Sequence, residues 1–244
     1  MDPVDTVKAE KSGKTLKIAA ATLLGSFLIA TIAHYVWLSS GSAEWNFKEE
    51  RNGIRIWTQK VPNNPLLKGR AQFRVRSTLG GITKIVFDPE VHRVNHMDNA
   101  VALEVVRSPR YYSVFNTLTQ EMPWPFKTRE FVLSSQYLQD PKTKAIEFNA
   151  MAAPNKIPAS TCCVRLVHVH NRWSATPRGD GEVDFEFYWD IDFGGGMPYV
   201  LQNALLPSAL YKAMSDFRNL MDKYKSDTID DIEEPDAVKV AATP

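Results

Sequence analysis

Two pairs of histidines come closest to a metal-binding pattern. His92 and His96 are four residues apart in a helical stretch, and His168 and His170 are two apart in a strand, so each pair shares one face. Neither has a cysteine pair or carboxylate cluster at a recognisable spacing, and both read as solvated or core-edge histidines rather than as metal ligands. Asp190 and Asp192 are spaced like an acid/base pair. They continue a row with Glu182, Asp184 and Glu186, however, which marks a wet strand face. Cys162 and Cys163 are neighbours inside an apparent strand, where successive side chains point to opposite faces, so they are not expected to bridge each other. A disulfide framework is excluded, and the pair does not report the redox compartment. Gly194 to Gly196 precede a helix, but no phosphate-cradling loop or nucleophile elbow accompanies them. The expectation is a protein without catalytic residues, metal or cofactor.

Composition narrows the class further. The 244 residues are 44% hydrophobic and 11% aromatic, ample for one large domain with appendages. A net charge of +1, from 29 basic and 28 acidic residues, lacks the concentrated positive charge of a nucleic-acid binder. Ile18 to Leu38 is 21 residues free of Asp, Glu, Lys and Arg, about 31 Å long as a helix and so long enough for a bilayer core. A cleaved signal peptide is the competing reading, but its apolar region usually runs only about 7–15 residues. Lys8, Lys11, Lys14 and Lys17 precede the span, which places residues 1–17 in the cytoplasm and exports the rest. His34, Tyr35 and Trp37 suit the far interface.

The remaining elements read mostly as strands. Trp45–Glu50 and Ile54–Val61 flank Asn52-Gly53, a strong hairpin signal. In the next strand Lys68, Arg70, Gln72, Arg74 and Arg76 alternate with Ala71, Phe73 and Val75, giving one wet and one dry face. Thr78 to about Met97 turns helical through Ile82, Ile85 and Val86, with Pro89 opening a second turn. Ala100–Arg107, Arg110–Gln120, Arg129–Gln139 and Lys144–Ala152 then form an antiparallel meander, and Thr161–Ala175 and Glu182–Phe193 complete the set. The last strand alternates its acidic row with Val183, Phe185, Phe187, Trp189, Ile191 and Phe193. A long amphipathic helix follows to Tyr224, with Leu206, Ala209, Leu210, Ala213, Met214, Phe217, Leu220, Met221 and Tyr224 as its apolar stripe. Pro207 is expected to kink or restart it. Residues 225–244 read as an acidic disordered tail.

Three strings in this order resemble the START family of lipid-transfer domains, part of the wider helix-grip group. They are Trp124-Pro125-Phe126-Lys127-Thr128-Arg129-Glu130-Phe131-Val132, Val164-Arg165 followed by Trp173, and Asp190-Ile191-Asp192-Phe193-Gly194-Gly195-Gly196-Met197-Pro198. Glu130 stands where the family usually has Asp. The resemblance covers about residues 45–224 and implies an α+β helix-grip fold, a curved antiparallel sheet wrapped around the C-terminal helix with a lipid-sized cavity between them. It also implies that the basic strand pairs with the acidic one and that the three glycines are a hinge rather than an anion site.

Candidate ligand contacts in such a cavity are Leu103, Val114, Asn116, Leu133 and Ser135 on the meander, Phe148, Phe187 and Trp189 on later strands, and Met197, Leu201 and Leu205 at the helix start. Asn116 and Ser135 are polar residues on a dry parity, which must bond each other, water or a ligand headgroup because an unmet polar group there costs about 1–3 kcal/mol. Some relatives carry a carboxylate and a guanidinium in about these places; here the pair is neutral. Trp124, Phe126, Pro198 and Pro207 are candidate gate residues, the first two on a stiff apolar loop and the others on the opposing helix. The expected function is a membrane-anchored, non-enzymatic lipid-binding or lipid-transfer protein whose partners are a hydrophobic small molecule and a membrane, with no nucleic acid. A helix-grip cyclase or hydrolase acting on an apolar substrate and a membrane scaffold with a filled core are the alternatives. The expected address is a bacterial inner membrane, with the globular domain in the periplasm. An alkaline phosphatase fused after Pro244 should then be active, and activity of a cytoplasmic reporter at the same point would reverse the orientation.

Overall fold

The computed structural model describes residues 3–86 and 97–235, and the backbone forms two compact units. The first comprises helix α1 (Pro3–Ser39) and the turn at Lys60–Pro65. Lys17–Ser39 of α1 is long and apolar enough to cross a membrane, and Leu23, Phe27, Leu28 and Ile32 all lie exposed along it. The last carbonyls of α1 are met from the turn: the Lys60 ammonium donates to Leu38 O at 3.3 Å and Ser40 O at 3.1 Å, and Asn63 N–H to Leu38 O at 2.8 Å. The Trp37 indole N–H donates to Pro65 O at 2.8 Å. Donors from the turn thus do what a helix C-terminus needs and cannot do for itself.

The second unit is an open sheet with two helices. Its strands are β1 (Trp45–Arg51), β2 (Ile54–Lys60), β3 (Leu67–Arg76), β4 (Met97–Ser108), β5 (Tyr111–Gln120), β6 (Arg129–Gln139), β7 (Ile146–Ala152), β8 (Val164–Arg165), β9 (His168–Gly179), β10 (Glu182–Trp189) and β11 (Ile191–Asp192). Helix α2 (Leu79–Val86) follows β3, and α3 (Tyr199–Tyr224) ends the described elements. The strand order is β1-β2-β3-β10-β9-β7-β6-β5-β4, with β4 to β7 an antiparallel meander. Asn52 and Gly53 turn β1 into β2 with φ of 50° and 74°, the left-handed pair that a two-residue hairpin demands. The basic and acidic strands pair as the resemblance implies, Arg74 opposite Asp184, Gln72 opposite Glu186 and Phe73 opposite Phe185. On the outer face Arg74 Nε donates to Asp184 Oδ1 at 2.7 Å. On the inner face the Phe73 and Phe185 rings meet at 5.0 Å.

Helix α3 covers that inner face. Leu206, Leu210, Met214, Phe217 and Met221 are its buried residues, spaced three or four apart as one stripe. Phe217 packs 5.0 Å from Phe185, and Phe148 stacks on Trp173 at 4.5 Å. Ala209, expected in the stripe, is exposed. The helix also runs through Pro207 without restarting; Leu206 and Leu210, buried on either side, hold the backbone where the proline removes one hydrogen bond. Gly69 lies beneath it, with Leu210 Cδ2 only 2.9 Å from where a Cβ would stand.

Three expectations are corrected. Residues 161–163 are bent loop rather than strand, so Cys162 and Cys163 escape the alternation that would separate their sulfurs, and they are joined by a disulfide. The expected strand Glu182–Phe193 breaks at Asp190, whose side chain is buried beneath Lys68 and His168 instead of lying on a solvated face. Residues 226–235 are not a loose tail: Ile232 is buried, and the Glu234 carboxylate accepts the N–H groups of Leu79 at 2.8 Å and Gly80 at 2.7 Å at the start of α2. Glu233 pairs with Arg110 and Lys144, and Asp227 with Lys84. Low hydrophobicity argues for disorder only where charges lack partners, and here basic residues at the hairpin tips supply them. Pro89, His92 and His96 lie outside the described residues, as do 236–244.

Phe185 is 2% exposed whereas the Arg74 side chain is 52% exposed. Phe185→Ala should therefore cost about 3–5 kcal/mol in urea unfolding and Arg74→Ala under about 1 kcal/mol. The opposite order would mean that the β3–β10 pair presents its other face to the core.

Candidate functional site

Between the inner face of the sheet and α3 lies an apolar cleft of about 200 Å³. Trp173, Phe185, Phe187 and Trp189 form its aromatic wall, Leu118, Phe131 and Leu133 close it from the meander, and Ala213, Met214 and Phe217 face it from the helix. Gln120 and Asn171 are the two polar side chains among its sixteen lining residues. A larger depression of about 630 Å³ opens on the other face, over Arg74, Arg178, Asp184 and Glu186. Its charges are committed to one another, Arg74 and Arg178 both to the carboxylate of Asp184. The smaller apolar cleft is therefore the candidate for a ligand, since ligand sites are mostly apolar with a few placed polar groups.

Of the contacts expected from sequence, Leu133, Phe187 and Trp189 line this cleft. Val114 and Phe148 are buried in the packed core, and Asn116 Oδ1 accepts the Ser135 hydroxyl at 3.1 Å, so that polar pair satisfies itself. Leu103 lies exposed on the edge strand β4, and Leu201 and Leu205 are exposed on α3, with Met197 half-buried before it. Trp124 is 93% exposed on the loop between β5 and β6; Phe126 and Pro207 are half-buried and Pro198 is exposed. Asn171 and Gln120 were missed. Asn171 shares parity with Val169, Trp173 and Ala175 on β9, a polar residue in an apolar row, which is the same signal that singled out Asn116.

The residues that carry the family resemblance meet beside the cleft and act as clamps. Arg129 is fully buried, and its guanidinium donates to Phe193 O at 2.6 Å, Gly194 O at 3.1 Å and Lys127 O. Burial lowers its pKa from the ordinary arginine value, and the charge of Asp192 opposes that shift. The group remains a cation, because guanidinium does not lose its proton in proteins. Gly194, Gly195 and Gly196 all have positive φ, and a Cβ on Gly195 would stand 2.9 Å from Val164 Cγ2, so glycine is needed for this turn to come close. The neighbouring pair is ionic: Arg165 donates to Glu130 Oε2 at 2.9 and 2.8 Å, and to the carbonyls of Pro154, Ile157 and Pro158. β8 pairs in parallel with β6 and brings the two strings together.

Asp190 anchors the opposite wall. Lys68 Nζ lies 2.8 Å from its Oδ2 and His168 Nε2 2.8 Å from its Oδ1. Burial alone would raise the Asp190 pKa, but the bonds from Lys68 and His168 outweigh it and hold the carboxyl below its usual value. The Asp190 amide N–H reaches Asn171 Oδ1 at 3.4 Å, which fixes how that carboxamide sits at the cleft.

Removing the Arg129 clamp should loosen the turn into α3. Arg129→Met removes a fully buried guanidinium and its hydrogen bonds to the carbonyls of Lys127, Phe193 and Gly194 and should cost about 3 kcal/mol in chemical denaturation, whereas Lys127→Ala should cost under about 0.5 kcal/mol. Equal losses would deny the clamp its role.

No protein-family model matches the chain. An uncharacterized protein of Pseudomonas aeruginosa is 19% identical over 209 residues, 82% of this chain and 98% of that protein. Among solved structures, the STAR-related lipid transfer protein of Xanthomonas axonopodis (fragment 25–204) superimposes with a TM-score of 0.65 at 20% identity, covering 73% of this chain and 98% of that one. Human StAR-related lipid transfer protein 5 gives a TM-score of 0.65 at 14% identity, covering 84% and 98%. With its open antiparallel sheet closed by one long C-terminal helix, the chain has the fold of the StAR-related lipid-transfer domains.

Proposed function

We propose that this chain is a membrane-anchored lipid-binding protein that holds a hydrophobic ligand between its sheet and α3 and presents or transfers it. The observation that carries this reading is the cleft itself, apolar on nearly every side in a fold whose solved relatives are lipid-transfer proteins. Each methylene withdrawn from water into such a site contributes about 0.8 kcal/mol, so burial alone suffices to hold a lipid. The reading is also non-enzymatic: the described lining, aliphatic and aromatic side chains with two carboxamides, holds no group that exchanges a proton near neutral pH. The apolar helix Lys17–Ser39 serves as the anchor, with the amino-terminal lysines on the cytoplasmic side and the domain exported across a bacterial inner membrane.

At about 200 Å³ the cleft is little larger than an engineered cavity of ~150 Å³ that holds benzene. A full acyl chain enters only if something moves. The amino-terminal half of α3 is the moving part, with the glycine turn at 194–196 as its hinge and Pro207 as its weak point. Trp124 on the facing loop and Val200, Leu201 and Leu205 on the helix give the opening an apolar rim that suits a bilayer surface.

Mass spectrometry of lipids that copurify with the full chain tests this. Wild type should carry a lipid in near-stoichiometric amount, and Ala213→Phe, which fills the cleft from the helix side, should carry less than about a tenth as much while keeping the wild-type circular dichroism. Equal lipid on both proteins would mean that the ligand sits elsewhere or that copurified lipid reports only the apolar helix.

A further inference from the structure

We infer that the cleft selects a lipid whose polar end is uncharged and accepts a hydrogen bond, such as an ester, ketone or alcohol, over a fatty acid or a phospholipid; this rests on the lipid-binding reading above. Asn171 is the group that makes the choice. Its Oδ1 is occupied by the Asp190 amide N–H at 3.4 Å, so the carboxamide presents its Nδ2 amine, a donor, to the cleft that it lines. The orientation is held from behind, because Asp190 is itself fixed by Lys68 and His168. Gln120, at the end of β5, places a second neutral amide in the same lining.

A carboxylate or phosphate would have to shed its water here with no cation among the described lining residues to replace it, which is costly for a buried ion. Among the described residues, the basic ones on the adjoining strands are committed elsewhere. Lys68 is bound to Asp190, Arg129 to three backbone carbonyls, and Arg172 lies on the outer parity over the Tyr188 ring. An uncharged carbonyl or hydroxyl meets the Asn171 donor without that loss, and the aromatic wall takes the chain. The same wall supplies the readout, since Trp173 and Trp189 both face the cleft.

The test uses the full chain in nanodiscs and three ligands that differ only at the polar end: ω-bromooctanoate, its methyl ester and ω-bromooctanol. Bromine quenching of tryptophan emission is followed at neutral pH, and quenching that persists in Ala213→Phe is subtracted as partitioning into the bilayer. The ester and the alcohol should bind at least about tenfold tighter than the carboxylate, and Asn171→Leu should weaken the ester by about tenfold while leaving bromooctane unchanged. A carboxylate that binds as tightly as the ester overturns the headgroup inference and leaves lipid binding standing. Wild-type discrimination that survives in Asn171→Leu overturns the role of that residue. If none of the ligands quenches beyond the Ala213→Phe background, both this inference and the lipid-binding reading fail.

Discussion

A sheet with one dry face must hide that face, and here the main cover is a single helix. The inner surface built from Phe73, Phe148, Trp173 and Phe185 is too large and too apolar to meet water, and Leu206, Leu210, Met214, Phe217 and Met221 of α3 are set against it. Everything else in the domain follows from that one contact. Gly69 gives up a side chain to let Leu210 approach, and α2 packs under the far end of α3. There a Cβ on Gly81 would stand 2.1 Å from Tyr224 O. Where helix and sheet do not quite meet, the mismatch is the cleft.

A cover of this kind has to be held at its ends, and buried polar groups hold it. At the amino-terminal end Arg129 ties the glycine turn to β6. At the carboxy-terminal end residues 226–235 fold back, with Glu234 accepting the first N–H groups of α2 and Thr78 N–H donating to Lys225 O. Burial raises the Glu234 pKa while the two N–H groups lower it, and burial prevails. The two ends differ in kind. The carboxy-terminal clamp is built of ion pairs and Ile232, whereas the amino-terminal one is built of hydrogen bonds: Arg129 donates to the glycine turn, Gln202 accepts the Phe193 N–H and Asn203 the Leu67 N–H.

The strings that carry the family resemblance are thus structural in this chain. Arg129, Glu130 and Arg165 touch carbonyls and one another, and from the strings Phe131, Trp173 and Ile191 reach the lining of the cleft, which is otherwise built from other positions. Such strings mark the fold because the same closure must be made whatever the ligand, and the lining is free to vary with it. A resemblance at low identity therefore identifies the architecture and not the lining of the cleft.

Sequence alone determined the elements that repeat with a period. Alternation in Lys68–Arg76 and Glu182–Trp189 fixed both faces of β3 and β10, Asn52-Gly53 fixed the hairpin, and the 3.6-residue stripe fixed the buried side of α3. Those features are local, because a wet face and a dry face are written into neighbouring residues. Tertiary structure alone decided where periodicity stops. Asp190 continues the acidic parity in sequence, but Lys68 from β3 and His168 from β9 cover and bury it, and neither partner is close in the chain. Residues 226–235 read as a solvated tail until Arg110, Lys144 and the start of α2 are brought beside them. The cleft was legible as a dry face but not as a set of contacts: Asn116 and Ser135 satisfy each other across β5 and β6, and Asn171 is aimed by a backbone amide nineteen residues away. Which polar group meets a partner depends on the register of strands distant in sequence, and no period in the chain records it.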